Sequence, residues 1–446
     1  MEFLGNEVIN FRFSTDIQFY SCNIFYWKQR LLEFGINIPE SINSVDEINF
    51  CNQYLLDKGF NSGPIFPIIL YINRIIGFNN IPIRLFFIFL MMIYIFLGNK
   101  ISILKIKNWK NLNSLLLLFS PILVWLTFFP STDILFAVFW FLALYLFKKY
   151  IKRKELFKEK YKSIEQSYKY NKEFFNDIKY TIIFSIILIS SILIRPVIFL
   201  CFMLLVFWLI YDLIYIWNGL KIKSINKLII LKSSSLYSAI TLFLTFLVLF
   251  IIQFILYNNY AITQDKFHIF FLSFSPPAPI GLREALNNSL YKLEYLLPRF
   301  AENPFELFSN LVSFLFLSIN HFIYGFLSIA GLQTNLPISI EGEFGLRNFA
   351  ALLKSIYGIF ILLPSIYIFF IKTALSIKKF FKKGLFQHFF ESDNYYYFST
   401  RIIVFFHILI SIIMMPHVRY LVPILPILIE TLIIKNRSTN RIKFNY

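Results

Sequence analysis

Four acidic residues, Asp16, Asp46, Glu47 and Asp133, stand at the heads of apolar segments, where a carboxylate can do chemistry at a membrane surface. Asp46 has the clearest setting. If a helix begins there, Asp46, Phe50 and Tyr54 share one face at i, i+4 and i+8, so the carboxylate ends an aromatic stripe. Gly59 stops that helix, and Pro64 and Pro67 keep it from resuming before the apolar run that follows. Asp16, Tyr20 and Ile24 repeat the pattern, with Leu31, Leu32 and Gly35 closing it as Leu55, Leu56 and Gly59 close the other. A carboxylate beside aromatic side chains at the interface suits proton abstraction during chemistry on a lipid-linked substrate. The competing reading is a helix cap, because acids at helix starts complement the dipole and accept from the first free N–H groups.

The cations that match such chemistry lie in two short turns. Arg195 sits in Ile194-Arg195-Pro196, between two apolar runs, and His417 and Arg419 sit between the last two. Arg195 and Arg419 can grip phosphate oxygens in bidentate fashion. Arg195 can equally snorkel to lipid headgroups, and Arg419 and His417 can be interfacial anchors. Thr132 and Asp133 both precede the apolar run from 134, and either can cap it. His321 lies in an apolar run and reads as a structural histidine, while Glu341 and Glu343 read as solvated loop charge. No Ser-His-Asp, HExxH, Walker or Gly-rich dinucleotide pattern is present. Cys22, Cys51 and Cys201 have no metal-ligand spacing; whether Cys22 pairs with Cys51 outside the cytoplasm is open. A divalent cation held by the acids together with a lipid phosphate also stays open, with no ligand spacing demanding it.

Positioning these residues falls to apolar helices. The 446 residues are 57% hydrophobic and 20% aromatic, with a mean hydropathy of +0.64, against about 45–50% apolar in soluble domains. An all-α polytopic membrane protein is expected. The 57 Phe, with abundant Ile, Asn and Lys, also fit an AT-rich codon bias, which discounts the aromatics as signal. Apolar runs predict spans at 83–98, 113–129, 134–147, 180–194, 197–216, 234–257, 354–371, 401–415 and 420–434.

The net charge of +18 is distributed in a way that argues against nucleic acid as a partner. Residues 1–79 carry an acidic excess, and the positive charge concentrates in short loops between apolar runs. The most charged stretch, 148–179, has eleven basic and five acidic residues and is expected to be a partly helical cytoplasmic loop. Placing every basic loop inside puts 1–79, 130–133, 195–196, 258–350 and 416–419 on the outer face. That gives nine spans, with the N-terminus outside and the C-terminus inside. The apolar stretch 308–333 would make a tenth, but a crossing there would turn the 372–383 lysines outward, so it reads as re-entrant or interfacial. The chain thus divides into an outer segment 1–82 with juxtamembrane helices, a bundle 83–257, an outer loop 258–350, and C-terminal helices with a basic tail over 351–446. No signal peptide precedes the outer N-terminus, and a first helix upstream of Met1 is the expected remedy.

In four places the chain resembles the GT-C membrane glycosyltransferases, in particular glycosyltransferase family 39, which includes dolichyl-phosphate-mannose protein mannosyltransferases and bacterial aminoarabinose transferases. The first is Asp46, its aromatic at i+4, Leu55-Leu56, Gly59 and then Gly-Pro-Ile-Phe-Pro at 63–67. The second is Leu-Leu-Leu-Leu-Phe-Ser-Pro at 115–121 leading to Thr132-Asp133. Ile194-Arg195-Pro196 is the third, and Arg419-Tyr420 followed by Pro423 and Pro426 is the fourth. The resemblance implies a sugar donor on a polyprenyl phosphate and a protein, lipid or glycan acceptor on the outer face. It maps the catalytic acid to Asp46, with Asp16 as competitor and Glu47 adjacent. Asp133 would position the acceptor or the base, and Arg195, Arg419, His417 and Tyr420 would face the lipid phosphate. One carboxylate base with direct displacement predicts inversion, unlike the paired-carboxylate hydrolases.

The expected location is a bacterial inner membrane, or the endoplasmic reticulum if the source is eukaryotic. The alternatives are a mannosyltransferase of the glycolipid-anchor pathway, a transporter or flippase of lipid-linked sugars, and an inactive membrane scaffold. A transporter is expected to show repeats and interrupted helices at mid-membrane; no repeat is visible here.

Overall fold

The computed structural model describes residues 80–252 and 356–438, apart from short connecting stretches, together with Ile65, Ile69 and Leu353. The excepted stretches are 103, 105–106, 129–131, 161–166, 195–197, 222–233, 384–391 and 415–417. Among the described residues the fold is all helical. In chain order the helices are α1 (Asn80–Ile101), α2 (Lys107–Leu118), α3 (Pro121–Phe128), α4 (Thr132–Lys160), α5 (Ser167–Ile194), α6 (Ile198–Lys221) and α7 (Ser234–Ile252). A π-helical turn, Gly358–Leu362, opens α8 (Leu363–Lys383); α9 (Ser392–Met414) follows, and a 3-10 segment, Val418–Ile424, leads into α10 (Leu425–Ser438).

Three stretches are long and apolar enough to cross a membrane: Thr132–Lys154, Phe175–Ile194 and Gly358–Lys378. Four shorter apolar helices, Leu85–Ile101, Leu200–Ile216, Ser235–Ile251 and Leu421–Ile434, pack with them. Large apolar side chains also point outward, among them Phe89, Met92, Ile186, Leu244 and Phe360. So extended an apolar exterior suits lipid rather than water. Hydroxyls within these helices bond back to the carbonyl four residues earlier, as Ser191 does to Ile187 and Thr245 to Thr241. Such bonds satisfy a side chain where no water competes.

The aligned contacts give the order of the bundle. α1 and α4 run in the same direction at a constant offset. Tyr94 packs on Phe141 with ring centroids 4.8 Å apart, and Lys148 reaches the carbonyls of Lys100, Ile101 and Ser102 at 3.1, 3.1 and 2.7 Å. The Lys148 ammonium thus meets carbonyls left without a partner inside the helix at the end of α1, where the dipole is negative. α5 and α7 are likewise parallel, joined by Thr181 to Ser238 at 3.0 Å and by Thr245 to Ser185 at 2.7 Å. Trp208 of α6 fills the centre, 4.0 Å from Phe184, 4.7 Å from Tyr150 and 5.4 Å from Phe147 between ring centroids.

One expectation about span limits changes, and the partly helical reading of 148–179 gains its bounds. The returning run 113–129 is not one helix: α2 ends at Leu118, Ser120 and Pro121 restart the chain, and α3 carries it on. Proline tolerates the first turn of a helix but not its interior, so the break falls where Pro121 can be N1. The charged stretch from 148 is helical at both ends, since α4 continues to Lys160 and α5 begins at Ser167. A run such as Lys152-Arg153-Lys154-Glu155-Leu156 is built of good helix formers, so the apolar pattern ends before the helix does.

Candidate functional site

Asp133 lies in the first turn of α4 and is buried, as is Thr132 beside it. That position sets its carboxylate at the positive end of the helix dipole. Around α4 pack α1, α3, α5, α6, α9 and the 3-10 segment Val418–Ile424. That segment is fastened by Tyr94, whose hydroxyl donates to the Val422 carbonyl at 2.6 Å. It runs parallel to α1, because Pro426 comes next, beside Gly98. Residues before Val422 therefore extend toward the starts of α1 and α4, which is the end that carries Asp133. The backbone of Arg419 and Tyr420 lies on that stretch.

The lysine-rich termini gather at the other end of the bundle. Lys148, Lys149, Lys152, Arg153 and Lys154 occupy the later turns of α4, and Lys100 closes α1. Asp16, Asp46, Glu47, Arg195 and His417 lie outside the described residues, as do Cys22, Cys51 and His321. Of the acids and cations singled out in the sequence, the structure brings to one end Asp133 and the backbone of Arg419 and Tyr420. Among the described residues no cluster of three or more His, Cys, Asp or Glu is arranged to hold a metal.

Away from that end, the bundle contains a buried polar network that the sequence reading missed. Asp212 of α6 is fully buried. Tyr150 of α4 donates to its Oδ1 at 2.5 Å, and Ser238 of α7 donates to its Oδ2 at 2.6 Å. Ser238 and Thr181 of α5 lie 3.0 Å apart, and Thr181 in turn donates to the Asp177 carbonyl at 3.0 Å. The Asp177 carboxylate meets Lys154 at 2.9 Å and Arg153 at 3.4 Å. One carboxylate and three hydroxyls thus tie together four helices, with an ion-paired acid a turn further toward the basic end. A signal was available: Asp212 is the lone acid in the run 197–216, and an ionisable residue within an apolar span is functional or structural by default.

A second polar group lies between α9 and α10. Glu430 accepts from the Leu104 N–H at 3.1 Å, and Arg401 donates to the Ser376 hydroxyl at 2.6 Å and stacks 3.7 Å from the centroid of Tyr397. Tyr396, Thr400, Arg401, Glu430 and Thr431 line a cavity of about 20 Å³, room for one water molecule. With an acid and a guanidinium on opposite helices, such a space is better matched to water than to an ion of either sign. No family model, no curated protein and no solved structure matches this chain.

Proposed function

We propose that the chain is a GT-C-like membrane glycosyltransferase, moving a sugar from a polyprenyl-phosphate carrier to an acceptor on the outer face of a bacterial inner membrane. The observation that carries this reading is the shared end of Asp133 and the segment bearing Arg419 and Tyr420, opposite the lysine-rich end of α4. With the basic ends inside, the chain crosses the membrane nine times and 308–333 lies re-entrant or along the outer surface. Asp46, or Asp16 in its place, takes the proton from the acceptor hydroxyl or amine. The acceptor atom bonds to the anomeric carbon from the face opposite the phosphate, the carbon–oxygen bond to the carrier breaks, and polyprenyl phosphate leaves with the electron pair. Arg195, Arg419, His417 and Tyr420 meet the charge on that phosphate. Asp133 positions the acceptor or the base.

The test is release of polyprenyl phosphate from labelled polyprenyl-phosphate sugars in reconstituted vesicles supplemented with native membrane as acceptor source. Asp46→Asn and Asp16→Asn are compared with wild type at equal insertion. Loss in one variant alone supports the transferase and identifies its base; wild-type turnover in both rejects the assignment.

A second reading has its own observation in support. Buried Asp212 and Glu430 within apolar helices, and the break between α2 and α3, are features that transporters of lipid-linked sugars also use. Movement of labelled lipid-linked sugar between leaflets without bond cleavage would favour it.

A further inference from the structure

The α4–α5 seam carries side chains in the vertical order of a phospholipid. On α4, Phe139, Leu142 and Tyr145 are half-buried on one face, and Lys149 and Arg153 continue that face at four-residue spacing. α5 runs antiparallel beside it, since Asp177 pairs with Arg153 and Lys154. Tyr180 follows within one turn, and then the outward-facing Ile183 and Ile186. The basic and aromatic groups are interleaved: Lys149 Nζ lies 4.7 Å from the centroid of Tyr145, and the Arg153 guanidinium 5.7 Å from that of Tyr180. Tyrosine is amphipathic, with an apolar ring and a hydroxyl that remains hydrated, which suits the headgroup level.

We infer that this seam is a seat for one anionic phospholipid, its phosphate between Lys149 and Arg153 and its acyl chain along Leu142, Ile183 and Ile186. Charge complementarity selects the headgroup. Over 148–179 eleven basic residues outnumber five acidic ones, and Asp177 bridges Arg153 and Lys154. A zwitterionic headgroup would bring a second cation into this positive field, whereas phosphatidylglycerol brings only the phosphate. The apolar row above the lysines distinguishes a lipid from free phosphate, which has nothing to place there. The inference rests on membrane embedding of the bundle and not on the transferase chemistry.

The experiment uses the full chain in phosphatidylcholine nanodiscs with and without phosphatidylglycerol. Co-purified lipid is counted by native mass spectrometry, and thermal unfolding is recorded alongside. Wild type should retain phosphatidylglycerol in preference to phosphatidylcholine and unfold at higher temperature in its presence. Lys149→Gln combined with Arg153→Gln should lower that preference on the order of tenfold. Lys149→Arg and the control Lys378→Gln should keep it, and Lys149→Gln alone guards against damage to the Asp177 pairs. No preference in wild type, an unchanged preference in the double variant, or equal stabilisation by inorganic phosphate would each overturn the seat. A chain that fails to enter the nanodiscs at all would instead remove the membrane reading, and the seat with it.

Discussion

The hydroxyl of Tyr150 lies 2.5 Å from Oδ1 of Asp212, and it joins helices α4 and α6 within a buried polar network. Both residues are fully buried, and Trp208 packs tilted against the Tyr150 ring while Tyr211 meets it edge-on. Hydrogen bonds between apolar helices average about 0.6 kcal/mol and reach about 1.7, because the separated helices also find partners. A carboxylate acceptor places this bond near the upper limit. A double-mutant cycle with Tyr150→Phe and Asp212→Ala, read by unfolding in detergent, should give a coupling of about 1.5 kcal/mol. Additive losses would mean that the two side chains are neighbours without a bond.

Lys148 should be worth more than its exposure suggests. Its ammonium serves three carbonyls at the end of α1 and lies 5.4 Å from the centroid of Tyr396. Lys148→Met preserves the stem but removes the charge at the negative end of the helix, so a loss of about 1 kcal/mol is expected. Amide exchange should quicken locally in the last turn of α1 and at Leu104. Uniform acceleration across the bundle would instead mark a global effect and count against capping.

Much of the helical order was legible because apolar length and helix length share a cause: backbone groups leaving water must bond within the helix. Phe119-Ser120-Pro121 and the charged continuation of α4 show the limits of that signal. Hydropathy scores side chains, whereas proline geometry and the propensity of Lys and Glu set where helices stop. The network around Asp212 was illegible for another reason. Its partners Tyr150 and Ser238 lie 62 and 26 residues away, on helices whose rotation and order only packing determines. For the candidate site, the charge pattern argued for an end shared by Asp133 and Arg419. Asp46 and Asp16 belong to the segment outside the described residues, so the choice between them still rests on motif order.

Gly98 lies where α1 meets Pro426 at the start of α10. A Cβ added there would stand 3.1 Å from the Cβ of Pro426 and 3.2 Å from its Cγ. Small residues at such crossings let backbones approach in lipid, where packing rather than water drives association. Gly98→Ala should be near neutral, since alanine gains about 1 kcal/mol of helix propensity that offsets the crowding. Gly98→Val adds branches that cannot turn away and should cost roughly 1–3 kcal/mol. Pro426→Ala in the valine background should recover part of the loss; if it recovers none, the strain lies elsewhere.

Asp133 separates positioning from capping. As a first-turn acceptor, its carboxylate takes hydrogen bonds from the free N–H groups at the start of α4, and the Asn amide oxygen keeps that role. As a group that positions the acceptor or the base on the proposed outer face, it must supply negative charge, which Asn lacks. Asp133→Asn should therefore unfold like wild type while releasing polyprenyl phosphate about a hundredfold more slowly. Asp133→Leu should lose the same activity and also about 1 kcal/mol of stability. The informative quantity is the asparagine variant's rate at saturating donor. Undiminished turnover there, with only the leucine variant impaired, would make Asp133 a cap and leave Asp46 or Asp16 to act without it.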